Sequence, residues 1–202
     1  MNYRAVGYRL AVDIDSLELP IPRGVILSIL DKKGFKIIHV DVVALAQKCI
    51  GATYRRGARL AEAPLVLDCS SFIKWLYGQC GIWLPRRSIQ QREVGESIEL
   101  SHVASGDVVF VSGSINYYFH DPADGVGHVG IATGNKSVIH AANSKVGIVE
   151  TSFDAFVNEN KFRGARRYIP INHEITIFET PMVREVEIED DIRWIVMQSL
   201  SK

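Results

Sequence analysis

Two observations predict an α+β fold for this chain. Segments with helical periodicity come first, and after Gly106-Asp107 the pattern changes to short strand-like runs separated by glycine-containing turns. Helices and strands that segregate in this way describe helices packed on an antiparallel sheet, not a doubly wound parallel one.

Taken in order, residues 3–19 alternate in the manner of a strand, with Val6, Tyr8, Leu10 and Val12 on one side. The stretch "PIPRGVILSILDKKG" reads as a turn into a short helix stopped by Gly34, and "FKIIHV" reads as a strand. Asp41 is placed to cap a helix whose apolar Val42, Leu45, Ala46 and Cys49 fall at i, i+3, i+4 and i+7, with Gly51 ending it. Cys49 is therefore expected in the core, where a buried thiol behaves as a small hydrophobe.

A second helix opens at "LDCSSFIKW". Phe72, Ile73, Leu76 and Cys80 form its buried stripe and Gly81 its stop. Strands follow at "DVVFV", "HVGIAT", "SVIHAA" and "KVGIVE", and "FRGARRYIP" reads as a closing strand. The tail adds one more strand, "HEITIFE", and a helix opened by Asp190 or Asp191 with Ile192, Ile195, Val196 and Leu200 inward. The expected organisation is an N-terminal extension over 1–40, a central domain over 41–170 and a C-terminal strand-helix extension over 171–202.

Composition limits the function classes. The 202 residues suit one domain with extensions, and Lys+Arg and Asp+Glu balance at 23 each. No global charge steers the protein to nucleic acid or an anionic membrane. No segment approaches the ~20 apolar residues of a membrane span. The first residues contain no uninterrupted apolar run, since Arg4, Arg9, Asp13 and Asp15 break it, so the expected address is the cytoplasm, with delivery outside the cell by another route left open. Arg55, Arg56, Arg59, Lys74, Arg86, Arg87 and Arg92 crowd the sequence around Cys69. They read as a solvated face in preference to an anion-binding surface.

Cys49, Cys69 and Cys80 form no CxxC pair and no even disulfide framework, and no histidine stands at zinc-ligand spacing from them. Reduced thiols, no metal and no cofactor are expected. His120, Asp121 and Asp124 share one loop without a second ligand cluster, which weighs against a metal there.

Cys69 differs from the other two cysteines because it stands at the very start of its helix, beside Asp68 and Ser70. A helix N-terminus and a neighbouring imidazolium can lower a thiol pKa from ~8.5 to roughly 3.5–7.5, and the free amides there can receive an oxyanion. His128 alternates with Gly130 and Ala132, so its face of the strand is kept small. An odd hairpin connection would put His128 and His140 on one face, directly opposite if it comprised residues 133–135; an even connection would separate them. Cysteine, histidine and a polar orienter in this chain order are the parts of a papain-like nucleophile site: Cys69 attacks, His128 is base and then acid, and His140 holds the imidazole tautomer.

"LDCSSFIKWLYGQCGIWLPRRSIQQ", followed by "GDVVFV", "GHVGIATGNKSVIHAA" and "ARRYI", resembles the NlpC/P60 family of cell-wall peptide hydrolases over residues about 41 to 169. The resemblance implies a papain-like α+β core and cleavage of the γ-D-glutamyl bond to meso-diaminopimelate, or to lysine, in peptidoglycan stem peptides or muropeptides. It identifies Cys69 as nucleophile, His128 as base and His140 as third polar residue. It also implies that Tyr54 points its hydroxyl at the scissile carbonyl, and that Asp68, Ser70 and Ser88 hold the ammonium of a free N-terminal L-alanine. Two departures stand out: Ser71 replaces the usual glycine two residues after the cysteine, and "YRRGARLAEAPLVLDC" lacks the tryptophan and double glycine common there.

Other readings of the same residues are a CHAP-like amidase or an acyltransferase of this fold acting on another amide, and a non-catalytic peptide-binding domain. The terminal extensions, with the apolar "IRWIVMQSL", leave room for a homodimer. In the loop "SGSINYYFHDPADGVG", Tyr117, Tyr118 and Phe119 are expected to pack the loop in preference to contacting substrate.

Overall fold

The structure is a computed structural model that describes residues 3–158 and 160–201. The chain divides into two compact units: one comprises Met1–Val40, Tyr77–Trp83 and Ile169–Lys202, the other Asp41–Leu76 and Leu84–Tyr168. Elements are numbered along the chain. Among the described residues no helix is long and apolar enough to cross a membrane.

The first unit joins both ends of the sequence in one antiparallel sheet. Strand β1 (Arg9–Asp13) pairs with β11 (Ile175–Glu179), which pairs in turn with β2 (Lys36–Ile38). Helices α1 (Arg23–Lys32) and α6 (Glu189–Leu200) bury Ile26 and Leu30, and Ile192, Ile195 and Val196. Phe35 and Phe178 meet edge to face, 5.9 Å between centroids. The strand is shorter than the alternation over 3–19 suggests. Gly7 takes φ 58, and reciprocal bonds between Val6 and Arg9 close a turn that leaves Tyr8 exposed. Leu200 is also exposed: at about 100° per residue Ser199 stands nearer the middle of the buried stripe of α6 than Leu200 does.

The second unit holds a six-stranded antiparallel sheet. Its strands are β5 (Glu96–Ile98), β6 (Val108–Val111), β7 (His128–Ala132), β8 (Ser137–Asn143), β9 (Gly147–Ser152) and β10 (Phe162–Arg167), in the order β5-β10-β6-β7-β8-β9. The closing strand therefore inserts beside β6 and is not the edge. The strand outside it, β5, has three residues, too few to carry a periodic signal. Every residue of β6 is buried, which explains why "VVFV" shows no alternation: both faces of the sheet are covered. On one face Val109, Val111, Ala132, Val138 and Ala165 pack beneath Phe156 and Val157, which lie on and just after the short helix α5 (Phe153–Phe156).

Helix α2 (Val42–Lys48) is capped as expected, with the amides of Val43 and Ala44 donating to Asp41 Oδ1 at 3.0 and 2.9 Å. Cys49 is buried at its end. A two-stranded parallel ribbon of β3 (Thr53–Tyr54) and β4 (Val66–Leu67) then leads into helix α3 (Cys69–Gln79), whose Phe72, Ile73 and Leu76 are completely buried. Cys80 is buried just beyond it, and Gly81 takes φ 69. The chain then reaches the short helix α4 (Ser88–Gln91).

Candidate active site

Asp68 caps α3, and its carboxylate decides how the helix begins. The Ser71 amide donates to Oδ1 at 2.8 Å, while the Ser71 hydroxyl accepts from the Asp68 amide at the same distance. Ser71 thus completes the cap reciprocally, and the residue that departs from the usual glycine has a local role. Gln91 fixes the next piece. Its amide nitrogen donates to the carbonyls of Ser70 at 2.9 Å and Pro85 at 3.0 Å, tying the first turn of α3 to the segment that carries Arg86.

Arg86 grips Asp68 through both carboxylate oxygens, at 3.1 Å to Oδ1 and 2.5 Å to Oδ2, and also donates to the Ser70 hydroxyl at 2.9 Å. The Gly57 amide adds a bond to Oδ2 at 2.9 Å. Burial disfavours the Asp68 charge, but the Arg86 guanidinium and the Ser71 amide outweigh it and hold the carboxyl below its usual range. An incoming ammonium would have to share this carboxylate with Arg86.

Tyr54, Asp68, Cys69, Ser70 and Ser88 line one cavity of about 440 Å³, together with Arg56, Arg86, Arg87 and Tyr117. The structure thus gathers five of the seven residues singled out from sequence around one space. The other two lie on adjoining strands. His128 begins β7 between Gly127, which lines the cavity, and Val129, whose amide favours the anionic form of Cys69.

His128 and His140 share a face because β7 and β8 pair with an odd connection. Ala132 faces Val138, so five residues intervene, not the three that would set the histidines directly opposite. The longer turn moves His140 across from Gly130, diagonal to His128, and the rings still meet: His128 Nε2 and His140 Nδ1 are 2.8 Å apart. Gly130 makes this arrangement fit. A Cβ there would stand 2.5 Å from Val138 Cγ1 and 3.0 Å from His140 Cβ. Beyond His140, its Nε2 lies 3.2 Å from Thr151 Oγ1 on β9, and the Phe156 ring packs against both imidazoles at 5.6 and 4.8 Å. Sequence reasoning missed Thr151 and Phe156. The signal for Thr151 was its place at alternating spacing on the strand after His140, usable only once the β8–β9 register is known.

Two orientations give every bond a donor and an acceptor, because the Thr151 hydroxyl can donate or accept, and a base at His128 Nδ1 requires the following one. His128 Nε2–H donates to His140 Nδ1, and His140 Nε2–H donates to Thr151 Oγ1. That leaves Nδ1 of His128 as an unprotonated base. Burial, and then the neighbouring His140, push the His128 pKa down to about 4, and burial takes His140 to about 4 as well. Burial and then the Asp68 carboxylate raise the Cys69 thiol to about 11, although the amides of Ser70 and Val129 and the Arg86 charge work in the opposite direction. The helix terminus alone therefore does not produce a thiolate in the free cleft. The resting pair is a neutral thiol and a neutral imidazole.

The loop over residues 112–127 forms a wall of this space. Its base is pinched where Gly113 and Gly127 meet; a Cβ on Gly127 would stand 2.4 Å from the Gly113 nitrogen. Asp124 is bound to the buried Arg92, at 2.7 and 2.6 Å through its two carboxylate oxygens. The loop aromatics do not pack inward, since Tyr117, Tyr118 and Phe119 are all exposed, and Tyr117 lines the cavity.

The model of the NlpC/P60 family matches residues 51–167. The chain is 36% identical over 114 residues to a probable endopeptidase of Corynebacterium glutamicum, covering 56% of this chain and 47% of that protein. It is 34% identical over 153 residues to the gamma-DL-glutamyl hydrolase of Bacillus subtilis, covering 73% and 34%. The chain thus spans about half or less of the length of these relatives. Among solved structures, an NlpC/P60 family protein from Bacillus cereus superposes with TM-score 0.55 at 25% identity, covering 64% of this chain and 40% of that one. The NlpC/p60 domain of the peptidoglycan hydrolase SagA gives 0.51 at 28%, covering 62% and 95%. A family model that takes in more than half of the residues, and folds of this kind among the solved members, lead to one assignment: the chain belongs to the NlpC/P60 family.

Proposed function

We propose that this protein is a cysteine peptidase that hydrolyses γ-D-glutamyl bonds to diaminopimelate, or to lysine, in peptidoglycan stem peptides or muropeptides. The observation that carries the reading is the 2.8 Å contact between His128 Nε2 and His140 Nδ1, with His128 next in the chain to Gly127, which lines the same cavity as Cys69. The relatives support the bond type and the polymer: one is named a gamma-DL-glutamyl hydrolase, and another, from Escherichia coli, a murein DD-endopeptidase and murein LD-carboxypeptidase.

With a neutral resting pair, His128 Nδ1 removes the thiol proton as Cys69 attacks the γ-carbonyl carbon. The oxyanion that forms is stabilised by amides at the start of α3. The tetrahedral intermediate collapses to a thioester as the imidazolium protonates the leaving amine, and water, deprotonated by the same imidazole, then releases the γ-glutamyl acid. His140 keeps the proton on Nε2 of His128 throughout, and Thr151 does the same for His140. Tyr54, Ser70 and Ser88 contact the substrate from the cavity wall, and Asp68 acts through Arg86.

Purified wild type, Cys69→Ala and His128→Ala, incubated with L-Ala-γ-D-Glu-meso-diaminopimelate and with intact muropeptides, test this by mass spectrometry of the products. Release of L-Ala-D-Glu by wild type alone is expected. Cleavage at a different amide would reassign the substrate, and equal cleavage by Cys69→Ala would remove the nucleophile.

A further inference from the structure

The charge of the cleft is not what an amine-binding site needs. Its lining carries three arginines, Arg56, Arg86 and Arg87, against one carboxylate, Asp68. Arg86 and Asp68 neutralise each other in a two-pronged pair. Arg56 and Arg87 remain, and among the described residues neither forms an ion pair.

Both are nevertheless held in place, by one aromatic side chain from the 112–127 loop. Arg56 Nη2 donates to the Tyr117 hydroxyl at 3.1 Å, and the Arg87 guanidinium stands over the Tyr117 ring at 5.3 Å from its centroid. Tyr117 therefore spaces two uncompensated guanidinium groups along one rim of the cavity that contains Cys69. Neither contact consumes the positive charge, and each arginine keeps N–H donors free for an anion. A solvated face would not need this. Charges meant only for solvent gain nothing by being fixed at a set spacing, because fixing long side chains costs rotamer entropy.

We propose that Arg56 and Arg87, spaced by Tyr117, form a carboxylate-binding rim that selects acidic γ-glutamyl peptides. The inference rests on the peptidase reading and narrows its substrate. A γ-linked glutamyl residue leaves its α-carboxylate free beside the scissile carbonyl, and diaminopimelate brings carboxylates of its own on the leaving side. Guanidinium groups pair with carboxylates through paired N–H donors and lose that partner when the acid is converted to an amide. The rim thus distinguishes peptides whose glutamyl or diaminopimelyl carboxylate is free from those in which it is amidated. It also disfavours an ammonium at the same wall.

The test measures kcat and KM for three tripeptides: L-Ala-γ-D-Glu-meso-diaminopimelate, the same peptide with the glutamyl α-carboxylate amidated, and the same peptide with both diaminopimelyl carboxylates amidated. Wild type is expected to lose about tenfold in kcat/KM on one of the two amidations, mostly through KM, as for one charged hydrogen bond. The amidation that causes the loss identifies the residue that carries the bound carboxylate. In Arg56→Gln and Arg87→Gln the ratio of free acid to amide falls towards one, Arg87→Lys retains part of it, and raising the ionic strength narrows it in wild type. Cleavage of all three peptides at equal efficiency overturns the carboxylate rim and leaves the peptidase standing. Cleavage of none overturns both, and a preference unchanged in both glutamine variants assigns the selectivity elsewhere and overturns the rim.

Discussion

Arg86 holds Asp68 from both oxygens, at 3.1 and 2.5 Å, immediately before the cysteine at the head of α3. The pair does two things. It keeps a buried carboxylate satisfied, and it puts a compensating positive charge beside a thiol that Asp68 would otherwise disfavour as an anion. Replacing Arg86 by methionine leaves Asp68 partly unpaired and is expected to cost about 1–3 kcal/mol in urea unfolding. The value sits below that of a wholly buried pair because 40% of the Arg86 side chain remains in solvent. The Cys69 thiol in this variant should titrate higher than in wild type, read from the pH dependence of iodoacetamide alkylation.

In wild type the alkylation profile itself is informative. With the thiol raised to about 11 and no preformed thiolate, the alkylation rate at neutral pH should fall below that of an unperturbed cysteine peptide and climb through the alkaline range. A plateau reached near pH 6 would indicate a thiolate–imidazolium pair in the free protein instead.

The two histidines make stability depend on pH. Their folded pKa values of about 4 lie below the ordinary 6.5, so between these limits the unfolded chain binds more protons than the folded one. Stability is fully present above pH 6.5 and is lost as pH falls towards 4, by roughly several kcal/mol for the pair. Urea titrations at stepped pH should show this loss, and the double variant His128→Gln/His140→Gln should flatten it. Asp68 contributes in a lower window, below its unfolded pKa of ~3.9, because its folded pKa is depressed.

Gly130 is expected to tolerate no side chain. A Cβ at 2.5 Å from Val138 and 3.0 Å from His140 forces β8 or its imidazole to move, so Gly130→Ala should destabilise the protein by about 1–3 kcal/mol. Activity should drop further than stability explains, checked by assaying at a temperature where the variant is still folded.

Thr151→Val removes the hydroxyl that accepts from His140 and keeps the shape. We expect a fall in kcat of up to about tenfold with little change in KM, together with a shifted acid limb of the pH–rate profile. Thr151→Ser should restore most of the loss, which a packing role for the methyl group would not allow.

The position of Cys69, the cap and the buried stripe of α3 were legible because each rests on local spacing: Asp68 and Cys69 at the helix start, Phe72, Ile73 and Leu76 along one face. The histidine pair was legible as a condition on register, and the turn between Ala132 and Val138 met it by a route two residues longer than the simplest one. What the sequence could not supply was long-range. Tyr117 joins Arg56 and Arg87 across 61 and 30 positions of chain, and the loop aromatics looked like packing because nothing local says which way a loop faces. The arginine cluster around Cys69 was visible from the start, but its meaning depends on which members find carboxylates. Arg86 pairs with Asp68, Arg92 with Asp124, and Arg55 with Glu62, whereas Arg56 and Arg87 turn to Tyr117.

Whether Cys69 carries the acyl group is read from acid quenching of wild-type protein during turnover of L-Ala-γ-D-Glu-meso-diaminopimelate, followed by peptide mapping. A thioester of L-Ala-γ-D-Glu is expected on the peptide containing Cys69, absent from Cys69→Ala and diminished in His128→Ala. Turnover by Cys69→Ala at the wild-type rate, with no adduct on the Cys69 peptide of the wild type, would contradict this role of Cys69.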